Sequence, residues 1–109
     1  MTTTISKNSN LLTFINIFNM QPAHQQEVAD GLKEVTVHIV SRQPGFVSAS
    51  LHKSHDGTRV IMYAQWRSRE DQEAAYEAMR GNPESKAILD KIMAVTSYQL
   101  GTFDVVETF

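Results

Sequence analysis

Apolar and polar positions recur along this chain with two periods, and the switches between them divide it into elements. "LLTFINIF", Leu11 to Phe18, is rich in aromatic and β-branched residues and ends near Pro22, which predicts a strand. From Ala23 to Arg42 the period lengthens, with Val28, Leu32, Val35 and Ile39 spaced 4, 3 and 4 residues apart on one helical face. That helix stops at "QPG", because a residue before proline is pushed out of the α region. "FVSASLHK" and "TRVIMYAQW" are two strand-like runs around Ser54 to Gly57, and Asp56-Gly57 between them signals a two-residue hairpin turn. Ser68, with Asp71 three residues on, has the pattern of a capping box opening a helix. Gln72, Ala75, Tyr76 and Met79 then share a face until "GNP" at 81–83. A further helix from about Glu84 to Ala94 carries Ile88, Leu89, Ile92 and Met93, and "LGTFDVVETF" reads as a last strand.

The order β-α-β-β-α-α-β predicts an α+β, ferredoxin-like sandwich: one antiparallel sheet with helices on one face. Residues 1–10, polar throughout apart from Met1 and Ile5, are expected to form a flexible tail, and residues 11–109 a single domain.

Strand alternation assigns the faces. A two-residue turn at Asp56-Gly57 pairs His55 with Thr58, and so sets Leu51 opposite Met62, Ala49 opposite Ala64 and Val47 opposite Trp66. One face then holds Val47, Ala49, Leu51, Val60, Met62, Ala64 and Trp66 and belongs under the helices. The other holds Ser48, Ser50, His52, Ile61, Tyr63 and Gln65. In the first strand Leu12, Phe14, Asn16 and Phe18 alternate with Leu11, Thr13, Ile15 and Ile17, so both faces are mostly apolar. A strand apolar on both sides wants cover on both sides. Helices supply one cover, and a second copy of the sheet supplies the other, which predicts a homodimer packed through the sheet face.

Asn16 is the odd residue of that strand, an amide flanked on its own face by Phe14 and Phe18. It either bonds backbone at a bulge or edge, or points into a cavity to meet a ligand, since leaving it unpaired costs roughly 1–3 kcal/mol.

Composition narrows the function classes. The 109 residues include no cysteine, which removes disulfides, thiolate metal sites, iron–sulfur clusters and cysteine nucleophiles. A net charge of −2 with scattered basic residues predicts no nucleic-acid or anionic-membrane partner. No apolar run approaches the roughly 20 residues that span a bilayer. The N-terminal segment lacks the apolar stretch of a signal peptide, and a cytoplasmic location is expected. His52 and His55 flank the hairpin turn without a third ligand nearby, so no metal site is predicted. Neither a nucleophile–base–orienter set nor a glycine-rich phosphate loop is present.

With the elements placed, "RQPGFVSASLHKSHDGTRVIMYAQWRSRED" resembles the antibiotic biosynthesis monooxygenase domain. The features that carry the resemblance are Pro-Gly-Phe after a helix end, a Leu-His pair, an Asp-Gly-Thr turn, and Tyr-Ala-Gln-Trp before a Ser-capped helix. It extends over about Leu11 to Thr108. It implies a dimeric α+β barrel of ferredoxin-like subunits. In detail the chain looks like the anthrone oxygenases, which insert oxygen from O2 without metal, flavin or haem, so the resemblance implies no cofactor. It also implies a polycyclic aromatic substrate, anthrone- or hydroquinone-like, and an oxyanion stabilised by amide and indole N–H donors.

Residue by residue, Trp66 matches the family tryptophan at the end of the third strand and Asn16 an asparagine of the first strand, and these are the candidate catalytic pair. Phe14, Phe18, Leu51, Met62, Tyr76 and Met79 are candidate substrate-binding residues. A second family asparagine usually stands four residues before the tryptophan. Here that place holds Met62, which cannot donate a hydrogen bond. Gln72 and Leu89 stand near the places of a helical tyrosine and arginine found in some anthrone oxygenases. Haem-degrading relatives need a histidine on the late helix, and "ESKAILDK" has none. The reading from another class is a non-catalytic dimeric barrel that binds a small apolar ligand, for which Met62 suffices and no donor is needed.

Overall fold

The computed structural model describes residues 2–109. Its elements are β1 (Leu12–Asn19), α1 (Gln25–His38), β2 (Phe46–Lys53), β3 (Arg59–Trp66), α2 (Arg69–Gly81), α3 (Pro83–Val95) and β4 (Ser97–Phe103), with single 3-10 turns on either side of α1. The four strands form one antiparallel sheet in the order β2-β3-β1-β4. This is the α+β, ferredoxin-like arrangement that the pattern predicts.

Capping chemistry sets the helix starts. Ser68 Oγ accepts from the Asp71 N–H at 3.1 Å, closing the first turn of α2. "GNP" both stops α2 and starts α3, since Asn82 Oδ1 accepts from the Ser85 N–H at 3.0 Å and Pro83 needs no amide partner at the first helical position.

The helix-facing side of the sheet carries Phe18, Val60 and Met62, which meet Val28, Ala29 and Leu32 of α1 and Ile92 of α3. Further along, Ala64 and Trp66 meet Ala75 of α2, with Leu12, Phe14 and Phe46 packed around them. The core is thus two apolar clusters on one sheet face. Asn16, opposite Met62 on β3 and Leu100 on β4, stands between them.

Three expectations are corrected. Phe46, rather than Val47, lies opposite Trp66, because a β-bulge between Phe46 and Ser48 makes Val47 an extra residue. The Phe46 and Trp66 rings consequently meet edge to face, with centroids 5.4 Å apart. The hairpin turn is also wider than two residues: Ser54 and Arg59 close it at 3.0 Å, and the Gly57 N–H bonds the Ser54 carbonyl at 3.2 Å. Asp56 causes this by drawing the Thr58 N–H, Thr58 Oγ1 and Ser54 Oγ onto its carboxylate, while Gly57 takes a φ of +83°. The Leu51–Met62 and Ala49–Ala64 pairs survive, because the wider turn has the same parity. Finally, the last strand begins three residues earlier and ends at Phe103, since Thr13, its partner there, is almost the first residue of β1.

On the opposite face, residues 2–11 form no helix or strand, yet Thr3 and Thr4 rest on the sheet. Thr3 Oγ1 donates to Ser48 Oγ at 3.0 Å, Ser48 Oγ donates to Gln65 Oε1 at 2.7 Å, and Gln65 Nε2 donates to the Thr4 carbonyl at 2.8 Å. This chain of bonds satisfies two polar side chains that are buried on a nominally open face. Ile15, Ile17, Ile61 and Tyr63 form a half-buried row beside it.

Candidate active site

Between the two core clusters lies a cavity of about 90 Å³. Its floor is the sheet, with Phe14, Asn16 and Phe18 from β1, Ala49 from β2, Met62, Ala64 and Trp66 from β3, and Leu100 from β4. Its roof is Leu32, Val35 and Thr36 of α1, Val40 just after α1, Gln72, Ala75, Tyr76 and Met79 of α2, and Leu89 and Met93 of α3. Small residues leave the space open: Ala49 and Ala64 are paired across β2 and β3, and Ala75 faces them from α2. The lining is almost wholly apolar, with no carboxylate, imidazole or ammonium group among the described residues around it.

Asn16 is the exception that gives the cavity a chemical direction. Its Oδ1 is buried and has no hydrogen-bond partner among the described residues. Neither of its neighbours across the ladder can supply one, because Met62 and Leu100 bear no donor. Trp66 lines the same space, 3% exposed, its ring held by Phe46. Thr36, Gln72 and Tyr76 are the other polar side chains on the walls.

Of the residues singled out from sequence, Phe14, Asn16, Phe18, Met62, Trp66, Tyr76 and Met79 surround this one cavity. Leu51 is not among its walls. It pairs with Met62 and packs on the cluster around Phe18 and Val28 instead. No group of three or more His, Cys, Asp or Glu side chains among the described residues is placed to hold a metal ion.

Residues 12–91 match the family described as antibiotic biosynthesis monooxygenase, over most of the domain and including the whole of β1 to β3. The chain belongs to the antibiotic biosynthesis monooxygenase family. Within it, the sequence is 41% identical over 93 residues to a tetracenomycin-F1 monooxygenase of Streptomyces glaucescens, covering 85% of this chain and 80% of that protein. Among solved structures, a cofactor-independent oxygenase from Streptomyces nogalater, SnoaB, superposes with a TM-score of 0.73 at 22% identity, over 92% of this chain and 97% of that one. An anthrone oxidase-like protein superposes with a TM-score of 0.80 at 26% identity, over 96% of this chain and 48% of that one.

The cavity walls also include residues that the hydrophobic pattern does not single out. Leu32 and Val35 belong to the apolar stripe of α1, which looks the same whether it faces packed core or open space. Leu100 joins the wall because it lies opposite Asn16, a pairing that follows only once β4 is known to start at Ser97.

Proposed function

We propose that this protein is a cofactor-independent monooxygenase that oxidises a phenolic aromatic, anthrone- or hydroquinone-like, with O2. The observation that carries the reading is the unpaired, buried Oδ1 of Asn16 in an apolar cavity that also exposes the Trp66 indole. An orphaned amide of this kind costs about 1–3 kcal/mol, a cost that a ligand would offset. The sequence similarity to a tetracenomycin-F1 monooxygenase supports the same chemistry.

The chemistry follows from what such a cavity does. A phenolic anthrone loses a proton from its methylene carbon, and the resulting carbanion gives electrons to O2. A carbon–oxygen bond forms. The oxygen–oxygen bond then breaks as the remaining C–H proton leaves, producing a carbonyl and one molecule of water. The substrate supplies the electrons and one O2 oxygen stays with it. The orphaned Oδ1 of Asn16 is an acceptor and suits a phenolic O–H of the substrate, while Asn16 Nδ2 and the N–H of Trp66 are donors for the developing oxyanion that do not titrate, and an apolar enclosure raises the value of each such hydrogen bond. No basic side chain among the described residues borders the cavity, so in this reading the methylene proton leaves to solvent.

The working unit in this reading is a homodimer formed through the outer sheet face, where Ile15, Ile17, Ile61 and Tyr63 form a half-buried row. Light scattering on wild type and Tyr63→Arg tests that part, with a shift from dimer to monomer expected in the variant.

The activity test is oxygen consumption with hydroxyanthrones and hydroquinones, no cofactor added, in wild type, Asn16→Ala and Trp66→Phe. Uptake by wild type that falls at least tenfold in each variant supports the assignment. No uptake by wild type overturns the assignment in favour of a ligand-binding barrel, and equal uptake by all three removes Asn16 and Trp66 from the catalytic site.

A further inference from the structure

The cavity walls hold a reactive group that the chemistry above does not use. Met62, Met79 and Met93 all border the cavity, and a thioether is readily oxidised. Exposure does not single out Met62 from Met20. Each is 8% exposed and both belong to one core cluster, yet only Met62 borders the cavity.

Position does single it out. Met62 lies directly opposite Asn16, where side chains on one face of a sheet stand about 5 Å apart. The orphaned Oδ1 of Asn16 is an acceptor that needs an O–H or N–H. A hydroperoxide supplies one, its O–H donating to Oδ1 while its oxygen–oxygen bond lies beside the sulfur across the ladder. The cavity of about 90 Å³ has room for it, since one water needs only roughly 10–15 Å³. Met79 and Met93 reach the same space from α2 and α3, with no amide set opposite them on a strand. The oxygenase sequence also passes through such a group, because its carbon–oxygen bond forms before the oxygen–oxygen bond breaks.

Resting on the oxygenase reading for its source of peroxide, we propose that Met62 is a modification site, oxidised to the sulfoxide by a hydroperoxide held on Asn16. A sulfur lone pair attacks the terminal oxygen, so that a sulfur–oxygen bond forms and the oxygen–oxygen bond breaks. The sulfur is oxidised and the peroxide reduced to an alcohol, or to water where the oxidant is hydrogen peroxide. The terminal proton passes to the departing oxygen. The new sulfoxide oxygen is an acceptor in an apolar wall, and Asn16 Nδ2 directly across from it is the donor that satisfies it. Oxidation thus occupies the amide needed at the developing oxyanion and slows turnover, until a methionine sulfoxide reductase reverses it.

The test treats the folded protein with hydrogen peroxide and follows each methionine by peptide mass spectrometry. Met62 should oxidise at least about tenfold faster than Met20, which also serves as the folding control because unfolding exposes both alike. In Asn16→Ala that ratio should fall at least about threefold, although the smaller side chain widens the cavity. A dose that removes about nine-tenths of wild-type turnover should leave Met62→Leu with most of its own untreated rate. A second arm replaces added peroxide with hydroxyanthrone turnover in the presence of catalase, which destroys free hydrogen peroxide. Sulfoxide at Met62 in that arm assigns the substrate's own hydroperoxide as oxidant, and its appearance with added peroxide alone assigns the free form.

Equal oxidation of Met62 and Met20, or an unchanged ratio in Asn16→Ala, overturns this inference and leaves the oxygenase reading to be judged by oxygen uptake. Equal loss of turnover in Met62→Leu and wild type shows that the sulfoxide does not shut the site, and overturns it too. If added peroxide selects Met62 through Asn16 while wild type consumes no O2 with hydroxyanthrones, the oxygenase reading fails and the peroxide-sensitive site stands.

Discussion

Asn16 and Met62 stand directly opposite each other on β1 and β3, an amide with an unpaired buried oxygen facing a thioether that cannot pair it. An apolar residue at position 16 would relieve that mismatch, so the amide there is the feature that most needs a function. Asn16→Leu removes the orphaned atom and keeps the branched skeleton of four side-chain heavy atoms, its extra bulk entering the adjoining cavity. Thermal unfolding should therefore rise by roughly 4–8 °C for each kcal/mol regained, while oxygen uptake falls to background. A variant that is less stable than wild type would mean that Asn16 already has a partner in the folded protein.

The converse substitution, Met62→Asn, supplies the donor that the family resemblance leads one to expect. Met62 is 8% exposed, so an amide there gives up apolar burial, and stability should drop by about 1–3 kcal/mol in denaturant titration. Turnover of a hydroxyanthrone should increase about tenfold if a second donor meets the developing oxyanion. The double variant Asn16→Leu/Met62→Asn completes a cycle, and non-additive stabilities would show that the two amides pair across the strands.

The hairpin turn has its own titration. Hydrogen bonds from Thr58 Oγ1, the Thr58 N–H and Ser54 Oγ hold the Asp56 carboxyl at about 2, against an ordinary value of 3.8. A group whose folded value is lowered stabilises the fold above its unfolded value, and that contribution is lost as pH falls through the folded one. Asp56→Asn should melt below wild type at neutral pH, and the gap should close as pH drops from about 4 to about 2. A gap of constant size across that window would show that the carboxylate charge contributes nothing to the turn.

What the sequence reveals and what it hides divide along physical lines. Val60, Met62, Ala64 and Trp66 could be placed under the helices because a half-buried strand has a strict period of two. The hairpin register survived a wrong turn length because loops of two and four residues leave the same partners opposed. The bulge at Val47 was not legible, because the extra residue is apolar like its neighbours and leaves the composition of the strand unchanged. The ends of β4 depend on how far β1 extends beside it, a property of another segment. The cavity divides in the same way. Asn16 stood out as a polar residue on an apolar face, whereas Leu32, Val35 and Ala49 have the same pattern whether they face atoms or space.

Gly45 joins the fold to the site more directly than its position in a loop suggests. It is buried with a φ of +84°, and its carbonyl accepts the Arg67 N–H at 2.8 Å, which fixes the start of β2 against the residue after Trp66. A Cβ built there would collide with the Asp71 side chain, in the first turn of α2. Gly57 has nearly the same φ, +83°, but its nearest obstacle is Pro22 at 3.2 Å. Both alanine variants carry the left-handed backbone penalty of about 1–2 kcal/mol, and only Gly45→Ala must also displace a capped helix start. Denaturant titration should therefore show Gly45→Ala losing at least about 1 kcal/mol more than Gly57→Ala. Adding Asp71→Ala to Gly45→Ala should recover part of that excess, because the clash is with this side chain rather than with backbone. Equal losses at the two glycines would mean that the Asp71 carboxylate moves aside at no cost, and that the Gly45–Arg67 bond alone sets the position of Trp66.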